Sequence, residues 1–199
     1  MKKKIIITGG LGYIGTELCK LYSGYSWNDE IIVIDNRFIS ERVNQLRNWN
    51  INFIQGDILD KDLINKYFKD ADVVHHLAGI TDVPRTKSES LDVKDKKINE
   101  VGEKGTQNIL DAISDECKII FPSTHVVYEG IDSVKIDIKE NEATKPVLSY
   151  SSSKAINEDQ LKRSGKNYII LRLGSVYGYS TDSMRIDIMP NLFSKISSQ

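Results

Sequence analysis

This sequence has little that would tie it to a partner of opposite charge. Its 27 lysines and arginines nearly balance 28 aspartates and glutamates, for a formal net charge of −1. That balance carries no signature of a nucleic-acid partner or an anionic membrane surface, and Lys2, Lys3 and Lys4 are too few to form a binding patch. No uninterrupted apolar run is long enough to span a bilayer, and the N-terminus has no signal-peptide core, so a cytoplasmic protein is expected. Cysteine is scarce. Cys19 and Cys117 are the only two, each within an apolar pattern and neither in a CxxC or Cys/His spacing. A disulfide framework, a redox pair and a metal site are thereby excluded, and two buried thiols in a reducing compartment are expected. Repeats, low-complexity tracts and linkers are missing from the first two-thirds. At 199 residues the chain can bury a good core.

The stretch TGGLGYIG, Thr8 to Gly15, is what the sequence is organised around. An apolar run, Ile5-Ile6-Ile7, precedes it, and Leu18, Leu21 and Tyr22 follow at helical spacing. Strand, glycine turn and helix form the context that a dinucleotide-binding fingerprint requires. Gly10 and Gly12 would let the backbone turn sharply and approach a pyrophosphate, and Gly15 would let helix pack on strand. The helix start would then offer unpaired N–H groups to the phosphates. Ile31 to Ile34 reads as the next buried strand, and Asp35 closes it about twenty residues beyond the last glycine. An acid there grips the adenosine ribose hydroxyls and repels a 2′-phosphate, which favours NAD over NADP; Arg37 weakens that preference without reversing it. An ordinary strand-end cap is the alternative role for Asp35.

Strand-like and helix-like runs alternate along the rest of the chain, as in βαβ units with a parallel sheet. Strands are expected at Ile51–Ile54, Asp72–Leu77, Cys117–Pro122 and Tyr168–Leu173. Helices are expected at Ser40–Trp49 with Ser40 as N-cap, after an Asp60 cap, from about Ile98 to Ser114, and from about Ser149 to Ser164. The polar segment Thr81 to Lys97, with Pro84, reads as a loop. Right-handed crossovers would put helices on both faces, giving an α/β, doubly wound parallel sheet of the Rossmann type in three α/β/α layers. Ligands of such sheets bind beyond the carboxyl ends of the strands, where Gly10, Asp35, Asp57, Ala78 and Thr124 fall. His75 and His76 end one strand; neighbours on a strand face opposite ways, so one buried and one exposed histidine is expected rather than a metal pair.

Tyr150-Ser151-Ser152-Ser153-Lys154 is the second informative motif. Four residues apart on a helix, the phenol and the ammonium share a face. A free tyrosine is a poor base at neutral pH, and a nearby positive charge favours its phenolate. Tyr150 would then remove a hydroxyl proton while hydride leaves the same carbon. Thr124 would orient and polarise the substrate oxygen; its alternative is another strand-end cap.

TGGLGYIG, Asp35, Gly56-Asp57, HLAG (His76–Gly79), STHVVY (Ser123–Tyr128), YSSSK (Tyr150–Lys154) and LRLGSVYG (Leu171–Gly178) occur in one order. Together they resemble the extended short-chain dehydrogenase/reductase family, in its nucleotide-sugar epimerase/dehydratase branch. The resemblance implies NAD as cofactor and a nucleotide sugar as substrate. It implies a catalytic set of Thr124, Tyr150 and Lys154, supported by Ser123. Cofactor contacts would come from Gly9, Gly12, Tyr13 and Ile14, from Asp35 and Asn36, from Asp57 and Ile58, from Leu77, Ala78 and Gly79, and from Tyr150 and Lys154. Thr124 and Ser175 would touch substrate, with Gly174 nearby. The expected activity is that of an NAD-dependent nucleotide-sugar epimerase-like oxidoreductase. Its alternatives are a non-catalytic NAD-binding module or truncated fragment, and a nucleotide-sugar dehydratase or reductase.

Departures from the family pattern matter as well. Gly102 and Ser175 stand where relatives often carry asparagine. His125 and Val126 replace the acids that dehydratases place after the threonine, which argues against eliminating water; a lone histidine such as His125 is usually structural. Relatives continue well past this length into a seventh strand and a smaller lobe. Residues 1–178 are therefore expected to form the NAD-binding domain and 179–199 the start of a truncated substrate-binding lobe. The resemblance also implies a homodimer through a four-helix bundle. Val101, Ile109, Leu110 and Ile113 would face Ile156 and Leu161 there, unless those side chains cover the sheet instead.

Overall fold

The computed structural model describes residues 2–25, 28–81, 92–180, 185 and 188–198. The expectation for Pro84 lies outside these residues. Six parallel strands form one sheet in the order β3-β2-β1-β4-β5-β6. They are β1 (Lys4–Thr8), β2 (Glu30–Asp35), β3 (Asn52–Gln55), β4 (Val73–His76), β5 (Lys118–Thr124) and β6 (Asn167–Leu173). Between and after them run α1 (Tyr13–Gly24), α2 (Ser40–Asn48), α3 (Lys61–Phe68), α4 (Asp92–Ala112), α5 (Ser149–Arg163) and α6 (Met189–Ser197), and a 3-10 turn, His125–Tyr128, follows β5. The order reverses between β1 and β4, which is the doubly wound Rossmann arrangement and creates a crevice at that point.

A parallel sheet is buried on both faces, so its inner strands are apolar on both. In β1, Ile6 joins Ile34, Ile64, Phe68, Ile109, Leu110, Ile119, Phe121 and Leu161 on one side. Ile5 and Ile7 join Leu11, Cys19, Val33, Val43 and Leu46 on the other. Both cysteines are free and buried, and burial pushes the Cys19 thiol up to about 12 and the Cys117 thiol to about 11, which leaves them inert.

Asp60 caps α3 as expected, accepting from the Asp62 and Leu63 amides at 3.1 Å. Ser40 does not cap α2. It is the first helical residue, and the opening turn closes on Ile39 O, which accepts from Val43 N at 2.9 Å. The helix expected from Ile98 is described from Asp92 onward, where the polar sequence reads as loop. Pro122 sits within β5 without breaking the ladder, because pairing to β4 stops at Ile120 and only pairing to β6 continues beyond. Among the described residues β6 is one edge of the sheet and β3 the other, and Tyr168, Ile169 and Leu171 on β6 stay partly exposed. No helix of the described residues is long and apolar enough to cross a membrane.

Candidate functional site

The strand ends open into a cavity of about 1000 Å³. Of the residues expected at the cofactor or the reaction, all but Gly10 lie on its wall: Gly9, Gly12, Tyr13, Ile14, Asp35, Asn36, Asp57, Ile58, Leu77, Ala78, Gly79, Thr124, Tyr150, Lys154 and Ser175. The glycine loop leaves β1 through Gly9, whose φ is +68° and where a Cβ would stand 2.8 Å from Ala78 N, so there is no room for a side chain. Gly10 does not reach the cavity. A Cβ there would meet Val33 at 2.5 Å, so this glycine serves packing against β2 rather than approach to a ligand. Gly12 precedes α1, and no side chain caps that helix start. Its N–H groups and the helix dipole therefore face the cavity, a ready place for an anion.

Asp35 is buried at the end of β2. Its Oδ2 accepts from Leu11 N at 3.1 Å, so the acid braces the glycine loop. Asp57 accepts from Leu59 N at 3.0 Å and from Asn36 Nδ2 at 3.2 Å.

The reactive groups gather on the other wall. Thr124 ends β5 and its hydroxyl accepts from Val126 N at 3.3 Å. It does cap the 3-10 turn, yet as an acceptor it keeps its own proton for donation into the cavity. Lys154 lies along α5 with Nζ donating to Pro122 O at 2.8 Å and standing 4.3 Å from the centre of the Phe121 ring. Burial lowers this ammonium to about 8, and Glu158 one turn on works in the opposite direction. Burial also raises the Tyr150 phenol, and the positive charge that opposes this is Arg185. The expected role of Lys154 is to tune that phenol; its ammonium stands 6.0 Å from the Tyr150 ring centre and donates to the Pro122 carbonyl.

Arg185, Glu129 and Glu158 gave no sequence signal, Arg185 falling in a stretch of sequence without periodicity. Glu129 accepts from the Val147 and Leu148 amides at 2.8 Å and from the Ser151 hydroxyl, which sets where α5 begins. Ser123, beside Thr124, donates to Glu158 at 2.6 Å, and Glu158 takes a forked pair from Arg172 at 2.9 and 2.5 Å. These partners are far apart in sequence, so no local pattern announces them. His125 is on the cavity wall and donates from Nδ1 to Leu173 O at 3.1 Å.

Both His75 and His76 are buried, at 8% and 1% exposure, which corrects the expectation of one exposed ring. They do point to opposite faces, but helices cover both. His75 meets Tyr22 OH at 2.8 Å beneath α1. His76 bridges Thr8 at 2.9 Å and Thr106 at 3.0 Å beneath α4. Among the described residues no cluster of acids, histidines and cysteines could hold a metal. The apolar residues proposed for a dimer face are mostly spent on the sheet: Ile109, Leu110, Ile113 and Leu161 belong to the core, Val101 packs against it, and Ile156 alone stays exposed.

A glycine loop at the switch point of a doubly wound parallel sheet defines a dinucleotide-binding domain. The chain belongs to the NAD dependent epimerase/dehydratase family, whose family model matches residues 5–199. It is 36% identical over 187 residues to a putative UDP-glucose 4-epimerase of Methanocaldococcus jannaschii, covering 89% of this chain and 57% of that one. It is 30% identical to a dTDP-D-glucose 4,6-dehydratase of Dictyostelium discoideum, covering 88% and 44%. Among solved structures, a UDP-glucuronic acid 4-epimerase of Bacillus cereus in complex with NAD superposes with a TM-score of 0.77 at 27% identity, covering 98% and 62%. A UDP-glucose 4-epimerase of Brucella ovis in complex with NAD gives 0.71 at 29%, covering 89% and 54%. The chain thus spans about half the length of the curated relatives it matches.

Proposed function

We propose that this chain supplies the cofactor and proton-transfer half of an NAD-dependent nucleotide-sugar epimerase-like oxidoreductase. One observation carries the reading: the glycine loop and Asp35 share a single cavity with Thr124, Tyr150 and Lys154. The residues fit the dinucleotide. Gly9 and Gly15 have no room for a Cβ, and the uncapped start of α1 faces the same space. Gly9, Gly12, Tyr13 and Ile14 would cradle the pyrophosphate. Asp35 and Asn36 would hold the ribose, Asp57 and Ile58 the adenine, and Leu77, Ala78 and Gly79 the channel toward the reacting ring.

Bound there, NAD⁺ would supply reversible hydride acceptance at the reacting sugar carbon. The chain's own residues move the proton. Thr124 donates to the reacting oxygen and Tyr150 removes its hydrogen, while Ser175 lines the sugar side. The buried ammonium of Lys154 keeps a positive charge within the site, and Arg185 is the charge that favours the phenolate. His125 and Val126 stand where elimination of water would need acids, which disfavours the dehydratase reading. A second reading, a non-catalytic NAD-binding module, draws support from the half-length match to relatives. The same match underlies the division into a cofactor domain, 1–178, and the beginning of a substrate lobe, 179–199.

Calorimetric titration with NAD⁺, followed by turnover on a panel of nucleotide sugars, separates these readings. Binding that Asp35→Ala weakens, with turnover that Tyr150→Phe lowers by about 10²–10⁴-fold, is the expected outcome. Binding without turnover of any sugar selects the non-catalytic module, and no binding rejects both. A homodimer through α4 and α5 would rest on Ile156 and polar groups, since the larger apolar side chains are already buried. A strictly monomeric mass by sedimentation removes it.

A further inference from the structure

Tyr150 is the second residue of α5, and the helix start that presents it is held from outside. Leu148 stands at the N-cap with no side-chain acceptor, and the first turn of α5 carries no acid of its own. Glu129 fixes that start instead, from the end of the 3-10 turn that Thr124 caps. One oxygen of its carboxylate, Oε1, accepts from Val147 N and Leu148 N at 2.8 Å each and from the Ser151 hydroxyl. Ser151 is buried and itself accepts from Leu148 N at 3.2 Å. Two backbone bonds lie alongside: Lys145 N donates to Val127 O and Gly130 N to Lys145 O, both at 2.8 Å. The approach is close enough that a Cβ on Gly130 would stand 2.5 Å from Lys145 O. The donors that Glu129 holds thus flank Tyr150 on both sides in the chain, and the turn that Glu129 ends begins at Thr124.

Proton transfer needs the phenol of Tyr150 and the hydroxyl of Thr124 at one substrate oxygen, and a misplacement of about 1 Å can cost about a hundredfold in rate. β5 places Thr124 and α5 places Tyr150, so the two share a frame only through what ties strand end to helix start. Lys154 reaches Pro122 O one turn further along the helix; Glu129 acts at the first turn itself. Burial pushes the Glu129 carboxyl up, but the Ser151 hydroxyl and the Leu148 and Val147 amides outweigh it and hold the group below its ordinary value. The carboxylate is therefore ionised at neutral pH, and its charge suits the positive end of a helix. Glu129, Leu148, Tyr150 and Ser151 all lie on the cavity wall with Thr124. We propose that Glu129 is a positioning residue: its carboxylate fixes the first turn of α5 against the turn after β5, and so sets the Tyr150 phenol beside Thr124 as the reaction requires. Without it the first turn of α5 frays and the phenol turns toward solvent. The proposal rests on the roles given to Thr124 and Tyr150 above.

Two measurements on Glu129→Ala, Glu129→Asp and Glu129→Gln test it. One is NMR titration of ring-labelled tyrosine, with Tyr150→Phe identifying the Tyr150 signal; the other is turnover on the nucleotide-sugar panel. Burial holds the Tyr150 phenol above its ordinary value. A freed phenol returns toward that value, so Glu129→Ala is expected to lower its titration midpoint by about half a pH unit or more. The same variant is expected to lower kcat by about tenfold or more with NAD⁺ affinity unchanged. Glutamine keeps an oxygen for the three donors and is expected to reverse most of both effects. Aspartate is one methylene short of them, is expected to behave as alanine does, and decides the matter if the alanine variant does not fold. A Tyr150 midpoint or a kcat unmoved in both the alanine and the aspartate variants overturns the proposal. Loss of NAD⁺ affinity in step with kcat marks a damaged fold and overturns it too. A native chain without turnover sinks the reading above, and the phenol midpoint alone then decides this proposal.

Discussion

Replacing Glu158 with alanine is expected to destabilise the fold by roughly 3–5 kcal/mol, the cost of breaking a buried ion pair from one side. Glu158 is 1% exposed. Its carboxylate takes two bonds from Arg172, one from Ser123 and one from Lys162 at 3.3 Å. Burial alone would raise this carboxyl. The hydrogen bonds from Arg172, Ser123 and Lys162, with the Arg172 charge, outweigh it and hold the group below its ordinary value. Alanine would leave the Arg172 guanidinium, itself only 12% exposed, without its counter-charge. The damage would not stay local. Glu158 lies one turn beyond Lys154 on α5, and Ser123 is the neighbour of Thr124 on β5. The same carboxylate thus fixes α5 against two strands at the point where the reactive groups meet. Urea unfolding of Glu158→Ala and Glu158→Gln checks this, with glutamine expected to lose less because it keeps the shape and part of the hydrogen bonding. A midpoint unchanged in the alanine variant would show that the pair contributes nothing net.

Acid should unfold this chain through His75 and His76. Burial lowers the His75 imidazole to about 4, and burial together with the Lys154 charge lowers His76 to about 3. An unfolded histidine titrates near 6.5. Between that value and the folded ones the unfolded chain takes up protons that the native chain refuses, so stability is full above about pH 6.5 and falls as pH drops. Each ring costs about 1.36 kcal/mol per pH unit across its window. At pH 5 the two together remove roughly 4 kcal/mol, a large part of the roughly 5–15 kcal/mol that a domain typically has. Stability measured by urea at pH 7.5, 6 and 5 should show that slope. His76→Gln should reduce it by about half relative to its own neutral-pH value. A slope indifferent to the substitution would assign the acid sensitivity to carboxylates instead.

Much of the fold was legible because its signals are local. The run Ile5–Ile7 followed by glycines and a helical repeat could only be a strand, a tight turn and a helix. Asp35 and the Tyr150–Lys154 pair announced themselves by spacing from elements already placed. What escaped depends on what a second element brings. One of His75 and His76 was expected to be exposed because their own strand could not show that α1 lies over one face and α4 over the other. Ile109, Leu110, Ile113 and Leu161 were equally good candidates for a partner's helices, and only the sheet beneath decided their use. Lys154 shares a helix face with Tyr150, and the Pro122 carbonyl that its ammonium also meets comes from a strand. Arg185 and Glu129 reach the cavity through segments without regular pattern, where spacing carries no information.

Among the described residues no further strand pairs with the outer flank of β6, which gives this molecule a concentration-dependent life. Its outward N–H and C=O groups form a template of seven residues, and Tyr168, Ile169 and Leu171 make that template adhesive on both sides. Such a seam is quenched by any strand that arrives first: a tethered segment, a companion polypeptide or a second copy of the chain. When dilute, the outward amides of β6 should exchange their hydrogens ahead of those of the inner strands. When crowded, they are where copies should begin to stick. The cofactor cavity opens at one end of this seam, so whatever seals the flank also stiffens the wall that carries Leu173 and Ser175.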